Sequence, residues 1–362
     1  VSTTTRETMT MSESLLDTYP HRMGGHCGSS AMRDLMEWAG LGFDGPPNEG
    51  LVFALGGALS LTYVRTDALV PPLYLVGRGP DFEMDLPRRL GATVEVRSTD
   101  DPQLGWDLVR DELDRGRPAL VWAEIAELPY LRVQLRMSRH DIVIVGYDSD
   151  AEIAYVADND RVEIQQVPFD ALARARRSMT FPEPTRHTLF RIDWPEALPS
   201  IAVVAAEAFA QSAACMRAPA GSTIAGPVEH SGTHGIDAAL ALSSDVMLWH
   251  ELPTDVLEVH LFSLGAFIEK AGTGGGLFRR LLACGCDDIA RLTGDAATSD
   301  LARDAHRAAA AWTAVAQAAV HKGSTAATRL DHVIEAAAVL TDTESSLATS
   351  LDSAARSLRS AV

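Results

Sequence analysis

Met23–Gly40 reads MGGHCGSSAMRDLMEWAG. Two glycines lead into His26-Cys27-Gly28-Ser29-Ser30, and apolar residues then return at Ala31, Met32, Leu35, Met36 and Ala39, the spacing of a helix that buries one face. Cys27 therefore stands at or just before a helix N-terminus. Amides without intrahelical partners and the positive end of the helix dipole meet there. Both favour an anion, so a thiol in that place tends toward thiolate, and the same amides can receive an oxyanion. A cysteine taken alone is more often an inert core residue. The rest of the N-terminal half decides between the two readings.

Arg139-His140-Asp141 opens IVIVGYD, a strand with the hydrophobic density of a sheet interior; EIAYVAD (Glu152–Asp158) is another and VEIQQV (Val162–Val167) a third. Turn residues at 148–150 and 159–161 separate them, which gives an antiparallel meander. Such pairing brings the start of one strand beside the end of the next, so His140 and Asp158 can touch. A thiol enzyme needs an imidazole to take and return the proton and a carboxylate to fix the imidazole. Cys27, His140 and Asp158 stand in the order of papain-like enzymes. Asp141, Asp148 and Asp160 compete for the carboxylate role. Alternation puts Asp141 on the face opposite His140, Asp148 lies at the far end of its strand, and Asp160 is the closest rival.

Between these two segments, Gly40–Gly50 is a turn-rich loop with Pro46 and Pro47, and Asn48-Glu49 precede LVFALGGALSLTYV, an apolar run broken by Gly56-Gly57. A strand is expected over Pro71–Val76, a helix over Phe82–Leu90, a strand over Thr93–Arg97, a helix through Leu104, Leu108, Val109 and Leu113, and a buried strand over Ala119–Ala123.

The chain has 362 residues, 22% charged and 46% hydrophobic, which bounds it to a globular protein of two domains. Its net charge is −18. That argues against nucleic acid or an anionic membrane as partner. No apolar run reaches the roughly 18 residues of a membrane span. The four cysteines make no secreted disulfide framework, and a reducing cytoplasm is the expected compartment. Residues 1–14 read as a disordered leader. Arg132, Arg136 and Arg139, or Arg174, Arg176 and Arg177, are the densest basic clusters for docking an acidic partner, with a solvated surface as the plainer reading.

From Ile201 onward alanine dominates and strand signals nearly vanish, so an all-helical domain is expected over 196–362 after a catalytic domain over 15–195. His230 and His234 lie four apart beside Glu229, a zinc-helix spacing, but Gly232 argues against a helix there. Cys284-Gly285-Cys286 lacks the two-residue gap of redox or zinc pairs and is expected to pack within a helix. Gly272–Gly276 (GTGGG) follows a helix, lacks the Gly-Lys-Ser/Thr ending of a phosphate cradle, and is read as a helix-to-helix turn. Neither metal nor cofactor is expected.

His26-Cys27 with its following helix, Asn48-Glu49 before Gly56-Gly57, Gly116-Arg117-Pro118 before a strand, Leu128-Pro129-Tyr130, and His140 leading into Val145-Gly146-Tyr147-Asp148 together resemble the N-terminal domain of the butirosin biosynthesis protein H family. The run Gly272–Arg279 (GTGGGLFR) resembles the helical domain that follows it. The resemblance implies an α+β fold of papain-like type, a cysteine-bearing helix packed on an antiparallel sheet, followed by an all-α domain. It implies an acyltransferase in which Cys27 is nucleophile, His140 base and Asp158 orienter. The acyl group would come from an acyl or peptidyl carrier protein, pass to Cys27, and go to a small-molecule amine or an intramolecular nucleophile in antibiotic or other natural-product biosynthesis. His26, Gly28, Glu49 and Tyr130 are the candidates for substrate binding or the oxyanion hole, with helix capping as the plainer role of Glu49. Glu124 and Glu127 depart from the aspartate expected before Leu128-Pro129-Tyr130, and no glutamine precedes Cys27 to act as an oxyanion donor. The alternative is a hydrolase, peptidase, amidase or thioesterase, with the same triad. Such enzymes are often dimers, so a homodimer is one assembly open to this chain, although no interface signature stands in the sequence.

Overall fold

The computed structural model describes residues 15–218 and 232–361; the expected leader over 1–14 lies outside them. In chain order the elements are α1 (Cys27–Trp38), α2 (Glu49–Leu55), β1 (Leu59–Arg65), β2 (Leu73–Arg78), α3 (Phe82–Arg89), β3 (Thr93–Arg97), α4 (Pro102–Leu113), β4 (Ala119–Ala123), β5 (His140–Asp148), β6 (Ile153–Ala157) and β7 (Gln165–Pro168). There follow α5 (Phe169–Arg176), β8 (Leu189–Asp193), α6 (Ile201–Met216), β9 (Thr233–His234), α7 (Gly235–Asp245), α8 (Thr254–Glu269), α9 (Arg279–Thr293), α10 (Ala296–Ala319), α11 (Ala326–Ala337) and α12 (Leu340–Ser360).

The chain forms two compact units, one running to Pro46 and resuming over Ala92–Glu196, the other made of Pro47–Gly91 and the chain from Ala197 onward. The contiguous division expected at 195/196 thus differs over residues 47–91, which belong with the helices. The reason lies in the apolar run. Leu51 to Leu55 are all buried, and β1 is buried along its first six residues. A strand covered on both faces needs apolar partners on both. In the second unit β1 packs on α6 and α7 and α2 packs on α6 and α9, with β1 itself paired to β2 and to the two-residue β9.

The first unit is built on a six-stranded sheet in the order β3-β8-β4-β5-β6-β7, antiparallel throughout. The meander expected from the sequence is its β5-β6-β7 part. β4 is buried along its whole length and β5 from Asp141 to Gly146. Helix α1 packs on β5, while α4 and α5 pack against β4 to β7. Strand β8, which has no counterpart in the expected elements, is short, and only its first two residues are buried. Its Arg191 and Asp193 break the apolar pattern that would mark it.

One reading of α1 changes. The spacing predicts a single buried face, yet Gly28 to Met36 are buried without a break. The two charged residues in that run are satisfied inside. Arg33 Nε donates to Asp34 Oδ1 at 2.8 Å and Arg33 Nη1 to the Met23 carbonyl at 3.1 Å, while Asp34 Oδ2 lies 3.0 Å from His21 Nδ1.

The second unit holds a buried ion pair. Arg279 and Glu344 are both fully buried, with Nε to Oε1 at 2.9 Å and Nη2 to Oε2 at 3.1 Å. Arg279 also donates to the carbonyls of Ser60, Gly77 and Leu277, and Trp312 Nε1 donates to Glu344. One side chain thereby fastens β1 and β2 to α9, α10 and α12. In α9, Cys284 and Cys286 are free thiols, Cys284 exposed and Cys286 buried. Gly285 between them is a contact point: a Cβ there would fall 2.1 Å from the Gly50 carbonyl oxygen of α2. The Gly272–Gly276 turn joins α8 to α9 with positive φ at Gly272, Gly274, Gly275 and Gly276. This is the helix-to-helix turn the sequence suggests.

Candidate active site

The segment before α1 and the turn after β6 are stitched together. Gly24 N–H donates to the Asn159 carbonyl at 2.9 Å, Asn159 Nδ2 donates to the Gly24 carbonyl at 3.1 Å, and His21 Nε2 lies 2.9 Å from the Arg161 carbonyl. This reciprocal clasp sets the start of α1 beside the residue that follows β6, Asp158. The next strand over, β5, begins at His140. Three chemically active side chains from distant parts of the sequence therefore meet at one end of the sheet.

His140 Nε2 lies 2.7 Å from Asp158 Oδ2. The other ring nitrogen, Nδ1, is left for Cys27, which lies close enough to raise the imidazole's pKa. Burial disfavours the thiolate, yet the neighbouring His140 first and His26 second hold the Cys27 thiol well below its usual range. Burial likewise disfavours the imidazolium, but the Asp158 carboxylate and Cys27 raise His140 well above the ordinary histidine value. Asp158 is buried, which opposes its charge, and is held below the usual carboxylate range by His140, the Asp160 amide and Tyr130. Together these favour a thiolate–imidazolium pair steadied by a carboxylate.

Asp158 is supported from two further directions. Tyr130 Oη donates to Oδ2 at 2.7 Å, and the Asp160 amide donates to Oδ1 at 3.0 Å. Burial first and the Asp158 charge second push the Tyr130 phenol well above its usual range, so it stays a donor. Tyr130, a candidate for substrate binding or the oxyanion hole, is bonded to the carboxylate. Asp160 turns outward to Arg161 at 2.5 Å. Asp148 caps its own turn, accepting from the amides of Asp150 and Ala151.

Asp141 corrects the alternation argument. Its Oδ2 lies 3.6 Å from Cys27 Sγ, on the same side as His140. Alternation holds inside a strand, but His140 is the first residue of β5 and the chain enters it through Arg139 at φ 60°. At such an end two successive side chains can reach one point.

His26 is the N-cap of α1: its Nδ1 accepts from the Ser29 amide at 3.1 Å and lies 3.0 Å from Ser29 Oγ. The Ser30 amide donates to the His26 carbonyl at 3.0 Å. Cys27 and Gly28 are then the first two helical residues, at the end where amides point out of the helix. Glu49 is the first residue of α2 in the second unit, following its N-cap Asn48, whose side chain accepts from Leu51 N at 2.8 Å. Glu124, fully buried, accepts from the Met137 amide at 2.6 Å and from Ser178 Oγ at 3.0 Å, and it anchors the loop that delivers His140.

Among the other candidates, Arg176 is buried and Arg174 is paired with Glu127 and Asp170, so that cluster is not an open basic patch. His234 lies in β9 with Nδ1 3.0 Å from Thr62 Oγ1; His230 and Glu229 lie outside the described residues. No group of three metal-ligating side chains is gathered among the described residues, and no described helix is long and apolar enough to cross a membrane.

A sulfur beside an imidazole that is itself held by a carboxylate is equipped for nucleophilic attack on a carbonyl, with the proton returned to the leaving group. The comparison with known families agrees with the resemblance in the sequence. Residues 26–159, which contain Cys27, His140 and Asp158, match the family described as "Butirosin biosynthesis protein H, N-terminal", which supports a butirosin biosynthesis protein H-like family. A domain of unknown function (DUF4872) matches residues 170–351, half of the chain and most of its helices. No curated protein matches the chain.

Proposed function

We propose that this chain is a papain-like cysteine acyltransferase of natural-product biosynthesis. The observation that carries the proposal is the Cys27, His140 and Asp158 cluster at the start of α1 and the end of an antiparallel sheet. The Cys27 thiolate attacks the thioester carbonyl of an acyl group on a carrier protein. The oxyanion is received by the Cys27 and Gly28 amides at the N-terminus of α1. The carrier thiolate leaves with the proton of His140. An amine then attacks the acyl-enzyme, His140 takes a proton from its nitrogen, and the C–S bond breaks to restore the ion pair. Tyr130 acts as a positioning residue through Asp158.

A thioester donor supports this reading because sulfur-to-sulfur exchange is nearly neutral in energy, and the family name supports a place in biosynthesis. The test offers the enzyme an acyl-loaded carrier protein with and without a panel of amines. Amide formed faster than free acid supports transfer. Free acid at the same rate whatever amine is present replaces it with hydrolysis.

A further inference from the structure

Away from Cys27, α4, α5 and the segment before β8 enclose a cavity of about 240 Å³ lined by Gln103, Trp106, Phe169, Leu172, Arg176 and His187. Its polar lining is unusual. Arg176 is 2% exposed and forms no ion pair with a carboxylate among the described residues; its Nη1 and Nη2 donate to the carbonyls of Gly105 and His187, at 3.0 and 2.9 Å. Its Nε has no partner among the described residues, and neither has Nε2 of His187, which is also 2% exposed. The nearby acids are already engaged: Asp100 pairs with Arg186 at 3.0 Å, and Asp101 caps α4 through the amides of Gln103 and Leu104.

The backbone is shaped to hold His187 there. Arg186 and His187 both have positive φ, 42° and 49°, a conformation that non-glycine residues adopt at a cost. The His187 amide donates to the Arg176 carbonyl at 2.6 Å. Its ring lies so close to α4 that a Cβ on Gly105 would fall 2.7 Å from the ring's Cγ. Burial lowers the Arg176 guanidinium only to about 9, so it remains a cation at neutral pH. Burial and the charges of Arg176 and Arg177 bring His187 down to about 4, so it is neutral there. A buried cation without a counter-charge is costly.

We propose that this cavity is a binding site for a small carboxylate carried on a flat apolar body. The guanidinium Nε–H and the imidazole Nε2–H supply two donors for the two carboxylate oxygens. Trp106 and Phe169, with ring centroids 4.5 Å apart, supply the apolar wall. Inorganic phosphate, with four oxygens and up to two charges at neutral pH, fits two donors and one cation less well.

The full-length protein is titrated with benzoate, with its neutral counterpart benzamide and with inorganic phosphate, by calorimetry and by Trp fluorescence. Benzoate should bind saturably and at least about tenfold more tightly than either, the scale of one charge-assisted contact. Cys27→Ala should bind it as the wild type does. Arg176→Gln should weaken it by about tenfold or more, and His187→Gln keeps the test available if the arginine variant does not fold. Equal binding of benzoate and benzamide, tighter binding of phosphate, no saturable binding, or wild-type affinity in a folded Arg176→Gln or His187→Gln variant would each overturn the proposal.

Discussion

Asp158 Oδ2 lies 2.7 Å from both His140 Nε2 and the Tyr130 hydroxyl, so a single carboxylate oxygen accepts from an imidazole and a phenol at once. With its other oxygen on the Asp160 amide, the group is locked and cannot swing away.

The first prediction ranks these acids. Asp158→Asn should lower the transfer rate by about 10³- to 10⁴-fold, the loss expected when a histidine's orienting carboxylate becomes an amide. Asp160→Asn should change it by no more than about twofold, as for a surface substitution. Tyr130→Phe should fall between, at about 10- to 100-fold, since it removes one hydrogen bond to a charged group. Single-turnover rates check the order, and a larger effect at Asp160 than at Asp158 would move the orienting role.

The lowered Cys27 and raised His140 give a pH signature. Above the lowered thiol pKa the sulfur is a thiolate, and the ion pair persists until His140 loses its proton. Alkylation by iodoacetamide should therefore stay fast well below the ordinary thiol range and fall only when acid protonates Cys27. In His140→Gln the inflection should move up toward about pH 8.5, the value of a free thiol. An unmoved profile would mean that the imidazole does not hold the thiolate.

The meander, the helix start at Cys27 and the His140–Asp158 pairing were legible because each is a local pattern: apolar periodicity, a glycine-rich entry, turn residues at fixed spacing. Tyr130 on Asp158 and the Gly24–Asn159 clasp were not, because both depend on where a long loop folds back. Asp141 was misplaced because alternation was extended to a residue beside the strand's end. The membership of 47–91 in the helical unit was hidden for another reason. An apolar run shows that it must be covered and carries no sign of which helices cover it.

The buried pair in that unit gives a stability prediction. Arg279→Met leaves the Glu344 carboxylate buried with only Trp312 as a described hydrogen-bond partner, and it should cost about 3–5 kcal/mol in urea unfolding. Replacing both members with apolar residues should cost less than Arg279→Met alone. If the double variant is the weaker protein, the pair is a net source of stability.

Gly285→Ala tests the α2–α9 contact. The added methyl would fall 2.1 Å from the Gly50 oxygen and 2.5 Å from Ala54 Cβ, so the helices must separate, at about 1–3 kcal/mol. Cys284→Ser, at an exposed position, should be near neutral in the same assay, within about 0.5 kcal/mol.

The most direct measurement of the central claim is intact-protein mass spectrometry after mixing wild type and Cys27→Ala with acyl-loaded carrier proteins. The account predicts an added acyl mass on wild type alone, mapped to Cys27 and discharged faster by an amine than by water. An adduct of equal yield on Cys27→Ala, or amide turnover by that variant at the wild-type rate, would contradict it.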